Sequence, residues 1–181
     1  MDGFNNTKYY FSPTTNNNLQ SKGDFIPLTD TSSMYIPYST ADIVIIDDDP
    51  IVRMTFINKI KKFKIKSSII DEGRNVVYKT FSKSSEILKD IIENKSTYGL
   101  ILMDENLGPD SFTGTQCIRR IREYNYNGAI VSISGSYTPS EILPKIRESG
   151  SNGLIPKSSC FFSEVCKLMN KLTTRDFKNE V

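Results

Sequence analysis

The sequence predicts an α/β domain built on a doubly wound, five-stranded parallel sheet. Three observations carry this expectation. From Ala41 onward, short apolar runs alternate with stretches of helical period. Most of these runs are unbroken rather than alternating, as expected of strands covered on both faces. Acidic, hydroxyl and amine side chains stand where the runs end, which is the rim at which open α/β sheets bind ligands.

The runs are Ile43 to Ile46, Val76 to Phe81, Leu100 to Met103, Ala129 to Ile133, and Leu154-Ile155. The second is mixed in character, as an edge strand would be. Between them, Val52, Phe56, Ile57, Ile60 and Phe63 recur at three- and four-residue spacing, the stripe of an amphipathic helix. Ile87, Leu88, Ile91 and Ile92 repeat the pattern, followed by Ile118 and Ile121, then Ile142 and Ile146, and finally Phe162, Val165, Met169 and Leu172. Asp49 with Pro50, and Thr138 with Pro139, supply a cap and first turn for two of these helices. The sum is five βα units, with right-handed crossovers.

Residues 1–40 differ. Asn5-Asn6, Asn16-Asn17-Asn18 and scattered Ser, Thr and Pro predict a disordered, low-complexity tail, leaving one domain over 41–175 and a short tail at 176–181. A chain of 181 residues suits one domain plus a tail better than two domains. Its net charge of +2 is too small to point to nucleic acid, and the basic run Lys59, Lys61, Lys62, Lys64 and Lys66 reads as a solvated helix face. No basic-then-apolar leader and no run of about 18 apolar residues is present, so no membrane association is expected, and the cytoplasm or nucleus is the expected compartment. Cys117, Cys160 and Cys166 lack metal-ligand spacing and are expected to be small buried apolar residues.

The chain contains no histidine. That excludes catalytic triads, histidine-held metals and phosphohistidine within these residues, so any chemistry runs on carboxylates, hydroxyls, lysines and a metal. The run ends supply such a set. The first leads into Asp47-Asp48-Asp49, the third into Asp104, the fourth into Ser134, and the fifth through Pro156 into Lys157. Clustered aspartates raise one another's pKa, and a divalent cation relieves the repulsion. Oxygen-only donors of this kind suit Mg²⁺, which also accepts phosphate oxygens. The set is therefore that of a phosphoryl-transfer site with Asp104 as nucleophile.

At these residues the sequence resembles the response-regulator receiver family. IVIIDDDP is similar to that family's first strand and acidic pair, LILMDENL to its phosphoacceptor segment, IVSISGS to its hydroxyl-bearing strand, and GLIPKS to its lysine segment. The segments stand in the family's order, and the likeness spans roughly Ala41 to Leu172. The resemblance implies a flavodoxin-like (βα)5 fold with strand order 2-1-3-4-5. It also implies Asp104 as phosphoacceptor, assisted by Ser134 and Lys157. Asp47, Asp48, Asp104 and the backbone carbonyl of Asn106 would then hold Mg²⁺, with Asp48 a direct ligand. The donor would be a histidine kinase or a histidine-containing phosphotransfer protein, and the output would pass to a downstream protein target.

Three departures from the family pattern are visible. Asp104 to Gly114 is two residues longer than the family's loop. Ser158 replaces the proline that usually follows the lysine, and because a cis bond before a non-proline residue costs about 3 kcal/mol, a trans bond is expected. Leu154 stands where the family carries an aromatic residue. Two other functions compete with the phosphoacceptor. One is a pseudo-receiver, a binding module that is not phosphorylated in use. The other is a phosphate-ester hydrolase, for which Glu105-Asn106 after Asp104 does not supply the expected DxD pattern.

Overall fold

The computed structural model describes residues 25–29, 39–65, 74–135 and 139–173. In chain order its elements are β1 (Ile26–Pro27), β2 (Ala41–Ile46), α1 (Pro50–Ile60), β3 (Lys64–Ile65), β4 (Arg74–Asn75), β5 (Tyr78–Phe81), α2 (Ser84–Ile92), β6 (Tyr98–Asp104), α3 (Gly114–Glu123), β7 (Ala129–Ser134), α4 (Pro139–Ser149), β8 (Gly153–Pro156) and α5 (Phe161–Thr173). The main sheet has the order β1-β8-β7-β6-β2-β5. Its members β5, β2, β6, β7 and β8 are parallel, and numbered among themselves along the chain they stand 2-1-3-4-5. Thr138, Ser136, residues 174–181 and most of residues 1–40 lie outside the described residues.

Two features add to the expected plan. β1 pairs antiparallel with β8, Ile26 opposite Leu154 and Pro27 opposite Gly153. It arises within the stretch whose composition predicts a tail, because a two-residue strand containing proline has no readable period. β3 and β4 form a separate antiparallel ribbon between α1 and β5.

β2, β6 and β7 are buried along their whole length, which is why they read as unbroken apolar runs. Their side chains still sort by parity. Ile43, Ile45, Leu100, Leu102, Val131 and Ile133 face α1 and α5, where they meet Phe56, Ile60, Val165, Leu168 and Met169. Val44, Ile46, Ile101, Met103 and Ile130 face α2 and α3, where they meet Ile87, Ile91, Cys117, Ile118 and Ile121. Burying one such isoleucine contributes about 2 kcal/mol, so the central strands are held from both sides. Cys117 is buried as expected, but Cys166 is only half-buried and Cys160 is exposed, since Cys160 lies on the turn that leads into α5 rather than on its packed face.

Close approach of α3 to β6 sets the level of the rim. The N–H of Gly114 donates to the carbonyl of Glu105 at 3.0 Å, and a Cβ on Gly114 would stand 2.1 Å from the backbone oxygen of Asp104. Only glycine fits there without moving backbone. Gly114→Ala should therefore destabilise the fold by about 2–3 kcal/mol, measured as a shift in the denaturation midpoint, and an unchanged midpoint would show that α3 is not so closely seated.

Candidate functional site

β2 and β6 are neighbours on either side of the point where the sheet reverses its winding, so their carboxyl ends deliver Asp47 and Asp104 side by side. The three aspartates after β2 have separate roles. Asp47 is completely buried, and its Oδ1 accepts the N–H of Asp49 at 3.0 Å. Asp48 is exposed. Asp49 caps α1, its Oδ1 accepting the N–H of Ile51 at 2.7 Å, with Pro50 at the first helical position.

Asp104 ends β6 and is buried. Lys157, directly after β8, reaches across the rim: its Nζ stands 2.7 Å from Oδ2 of Asp47 and 2.9 Å from Oδ1 of Asp104. The contact with Asp47 is one of charge, since Oδ2 accepts no aligned hydrogen bond and is a buried oxygen with acceptor capacity left over. One oxygen from each of Asp47, Asp48 and Asp104 lies within 4.8 Å of the others.

The electrostatics follow from burial. Desolvation pushes Asp104 up to about 6; Lys157 pulls it back in part, and Asp47 adds repulsion. Asp47 is raised too, again chiefly by burial. Burial opposes the charge on Lys157, yet its pairing with both carboxylates outweighs that and raises its pKa. Two buried carboxylates thus share one ammonium, with a third carboxylate beside them. The excess of negative charge, the oxygen-only donors and the under-satisfied Oδ2 of Asp47 together fit a hard divalent cation such as Mg²⁺.

The remaining expected residues stand around this cluster. Ser134 is buried at the end of β7, where its carbonyl accepts the N–H of Lys157 at 2.7 Å and so fixes the start of the lysine segment. Asn106 is exposed, two residues beyond Asp104. The peptide bond between Lys157 and Ser158 is trans, there being no cis bond among the described residues. Leu154 is wholly buried in β8.

The long loop after Asp104 is pinned. Leu107 is buried in the core, the N–H of Phe112 donates to Oγ of Ser84 at 3.0 Å, and the carboxylate of Glu105 accepts from the N–H and the hydroxyl of Thr115, both at 3.0 Å. Gly108 has a φ of 82°, and a Cβ there would stand 3.6 Å from Oδ2 of Asp48, so the loop passes beside the acidic cluster.

Arg53 is a site residue that motif reading misses. Its Nη1 donates to the carbonyls of Asp47, at 2.5 Å, and Asp48, at 2.9 Å, clamping the backbone of the acidic pair. The available signal, an arginine one turn into a helix that begins beside aspartates, reads as an ordinary surface charge.

Neither a family profile nor a curated protein sequence matches the chain. Solved structures do. A two-component response regulator of the LuxR family from Aurantimonas sp. SI85-9A1 is 26% identical, with a TM-score of 0.57 over 76% of this chain and 88% of its own. A CheY-like response regulator receiver domain protein from Methanospirillum hungatei JF-1 is 20% identical, with a TM-score of 0.55 over 74% of this chain and 94% of its own. The chain has the receiver fold. A Francisella response regulator receiver domain gives the same result, with a TM-score of 0.56 at 20% identity over 75% of this chain and 98% of its own. Among the described residues of this receiver, no helix is long and apolar enough to cross a membrane.

Two outcomes are expected. Asp104 has a folded pKa above its unfolded value, so ionising it disfavours the folded state once pH rises past both values. Asp104→Asn should therefore stabilise the metal-free receiver by on the order of 1–3 kcal/mol above about pH 6, and the gain should vanish below about pH 4, where the carboxyl is protonated in both states. Denaturation curves across this range test it, and a gain independent of pH would contradict it. Arg53→Ala removes two charge-assisted bonds and should destabilise the receiver by about 1–2 kcal/mol, while Arg53→Lys recovers only part of the loss.

Proposed function

We propose that this receiver accepts a phosphoryl group on Asp104 and signals by protein contact. The observation that supports this reading is the placement of Lys157, whose single ammonium bridges two buried carboxylates from different strands. Burying such a set disfavours the folded state, and an apolar core would serve stability better. The arrangement makes sense where one of the carboxylates is the reacting group.

With its pKa at about 6, Asp104 is mostly ionised near neutral pH and is a competent nucleophile. One of its carboxylate oxygens attacks the phosphorus of the donor. An acyl O–P bond forms as the donor's P–N bond breaks, and the leaving imidazole keeps the electron pair. Lys157 follows the charge that develops on the phosphoryl oxygens, and the hydroxyl of Ser134 donates to one of them. Asp47, Asp48, Asp104 and the carbonyl of Asn106 are the groups that would hold Mg²⁺, which when bound supplies further neutralisation of phosphoryl charge. Because these residues include no histidine, the phosphohistidine lies outside them, on a histidine kinase or a histidine-containing phosphotransfer protein. The phosphorylated face then engages a downstream protein.

Incubation with acetyl phosphate and Mg²⁺, followed by intact-mass measurement, tests the proposal. The expected result is the gain of one phosphoryl group that does not form when Mg²⁺ is chelated beforehand and is absent in Asp104→Asn, whereas Lys157→Ala still becomes phosphorylated. A gain that persists in Asp104→Asn would move the acceptor elsewhere. No gain with acetyl phosphate or with phosphohistidine donors would favour the unphosphorylated binding module.

A further inference from the structure

We propose that Phe25–Thr29 is a strap whose docking on the edge of β8 is coupled to the chemical state of Asp104, so that phosphorylation releases it. The inference rests on the phosphoacceptor reading above.

The strap is seated by three sets of contacts. The ring of Phe25 occupies a notch at Gly153, where a Cβ would stand 2.2 Å from its Cε2, and it packs against the core layer of α1 and α5. The N–H of Phe25 donates to Oε2 of Glu164 at 3.3 Å, and the other oxygen of that buried carboxylate pairs with Lys167 at 2.6 Å. The N–H of Leu28 donates to the carbonyl of Asn152 at 3.0 Å, while Nδ2 of Asn152 donates to Oγ1 of Thr29 at 3.1 Å. Asn152 is itself fixed, its Oδ1 accepting from Arg122 and from the N–H of Ile130, both at 2.8 Å.

These anchors lie on the elements that flank Lys157. Gly153 begins β8, the four-residue strand that ends immediately before the lysine, and Glu164 lies in the first turn of α5, the helix that follows it. Lys157 is bound at both ends, by its N–H to Ser134 and by its ammonium to Asp47 and Asp104. A phosphoryl group on Asp104 replaces one carboxylate oxygen with a larger and more highly charged group. The ammonium must re-pair with it, and the short segment between β8 and α5 carries the adjustment to both anchors. A strap held by one aromatic ring and a few hydrogen bonds is a low-stability unit and yields before the central strands do. The response assigned is undocking, because re-pairing of Lys157 displaces β8 and α5, the two elements that seat the strap.

Hydrogen exchange of the full chain, read on peptides covering Phe25–Thr29, tests this while intact mass reports the phosphorylated fraction of the same sample. Exchange at Phe25 and Leu28 should be about tenfold faster in the phosphorylated protein, with β6 and β7 unchanged. Phe25→Ala should exchange fast in both states, establishing that the readout follows docking. Phosphorylated Lys157→Ala should keep slow exchange, since the link is cut. Full phosphorylation with unchanged exchange at Phe25 and Leu28 overturns the coupling and leaves the phosphoacceptor reading standing. Release in phosphorylated Lys157→Ala overturns the route through the lysine. A chain that no donor phosphorylates overturns both readings, and the mass alone reveals that case.

Discussion

The architecture of this receiver turns on one constraint, that buried carboxylates at the ends of adjacent parallel strands need a positive charge among them. Lys157 supplies it, within 2.9 Å of both Asp47 and Asp104. The requirement reaches into the fold. β8 must end where its next residue can span the rim, the N–H of Lys157 must be held by Ser134, and α3 must come so close that only Gly114 fits beneath it. Arg53 works on the same problem from the other side, placing a guanidinium on the backbone carbonyls of the acidic pair. An apolar filling would pack more easily.

Much of this was legible in the sequence for a physical reason. Strands covered on both faces must be apolar at every position, so Ile43 to Ile46 and Leu100 to Met103 declare themselves, and the first polar residue after each is at the rim. Asp47, Asp104 and Lys157 were therefore visible as punctuation, and the repeated βα unit announced a parallel sheet, whose strand order came from the family resemblance.

What stayed illegible depends on contacts between distant parts of the chain. Arg53 acts through backbone carbonyls, which leave no residue-type signature. α1 carries Ile51 and Met54 at 67% and 59% exposure, so its apolar residues do not mark a single buried face. The loop after Asp104 is longer than the family's, yet length alone does not say that Leu107 is buried or that Glu105 is bound to Thr115. The strand Ile26–Pro27 is recognisable only once β8 is there to pair with it.

That short strand also bears on solubility. A parallel sheet ends in two raw edges, each a template for a neighbour's backbone. At the β8 edge the N–H of Leu28 points inward to Asn152, which by the alternation of an antiparallel pair turns the backbone nitrogen of Pro27 outward. A proline nitrogen has no hydrogen to donate, so the outermost rung is blunt where another strand would begin to zip. A chain shortened past Leu28 would carry an open flank on β8, and its tendency to associate in solution would be a property of that missing proline rather than of the receiver's chemistry.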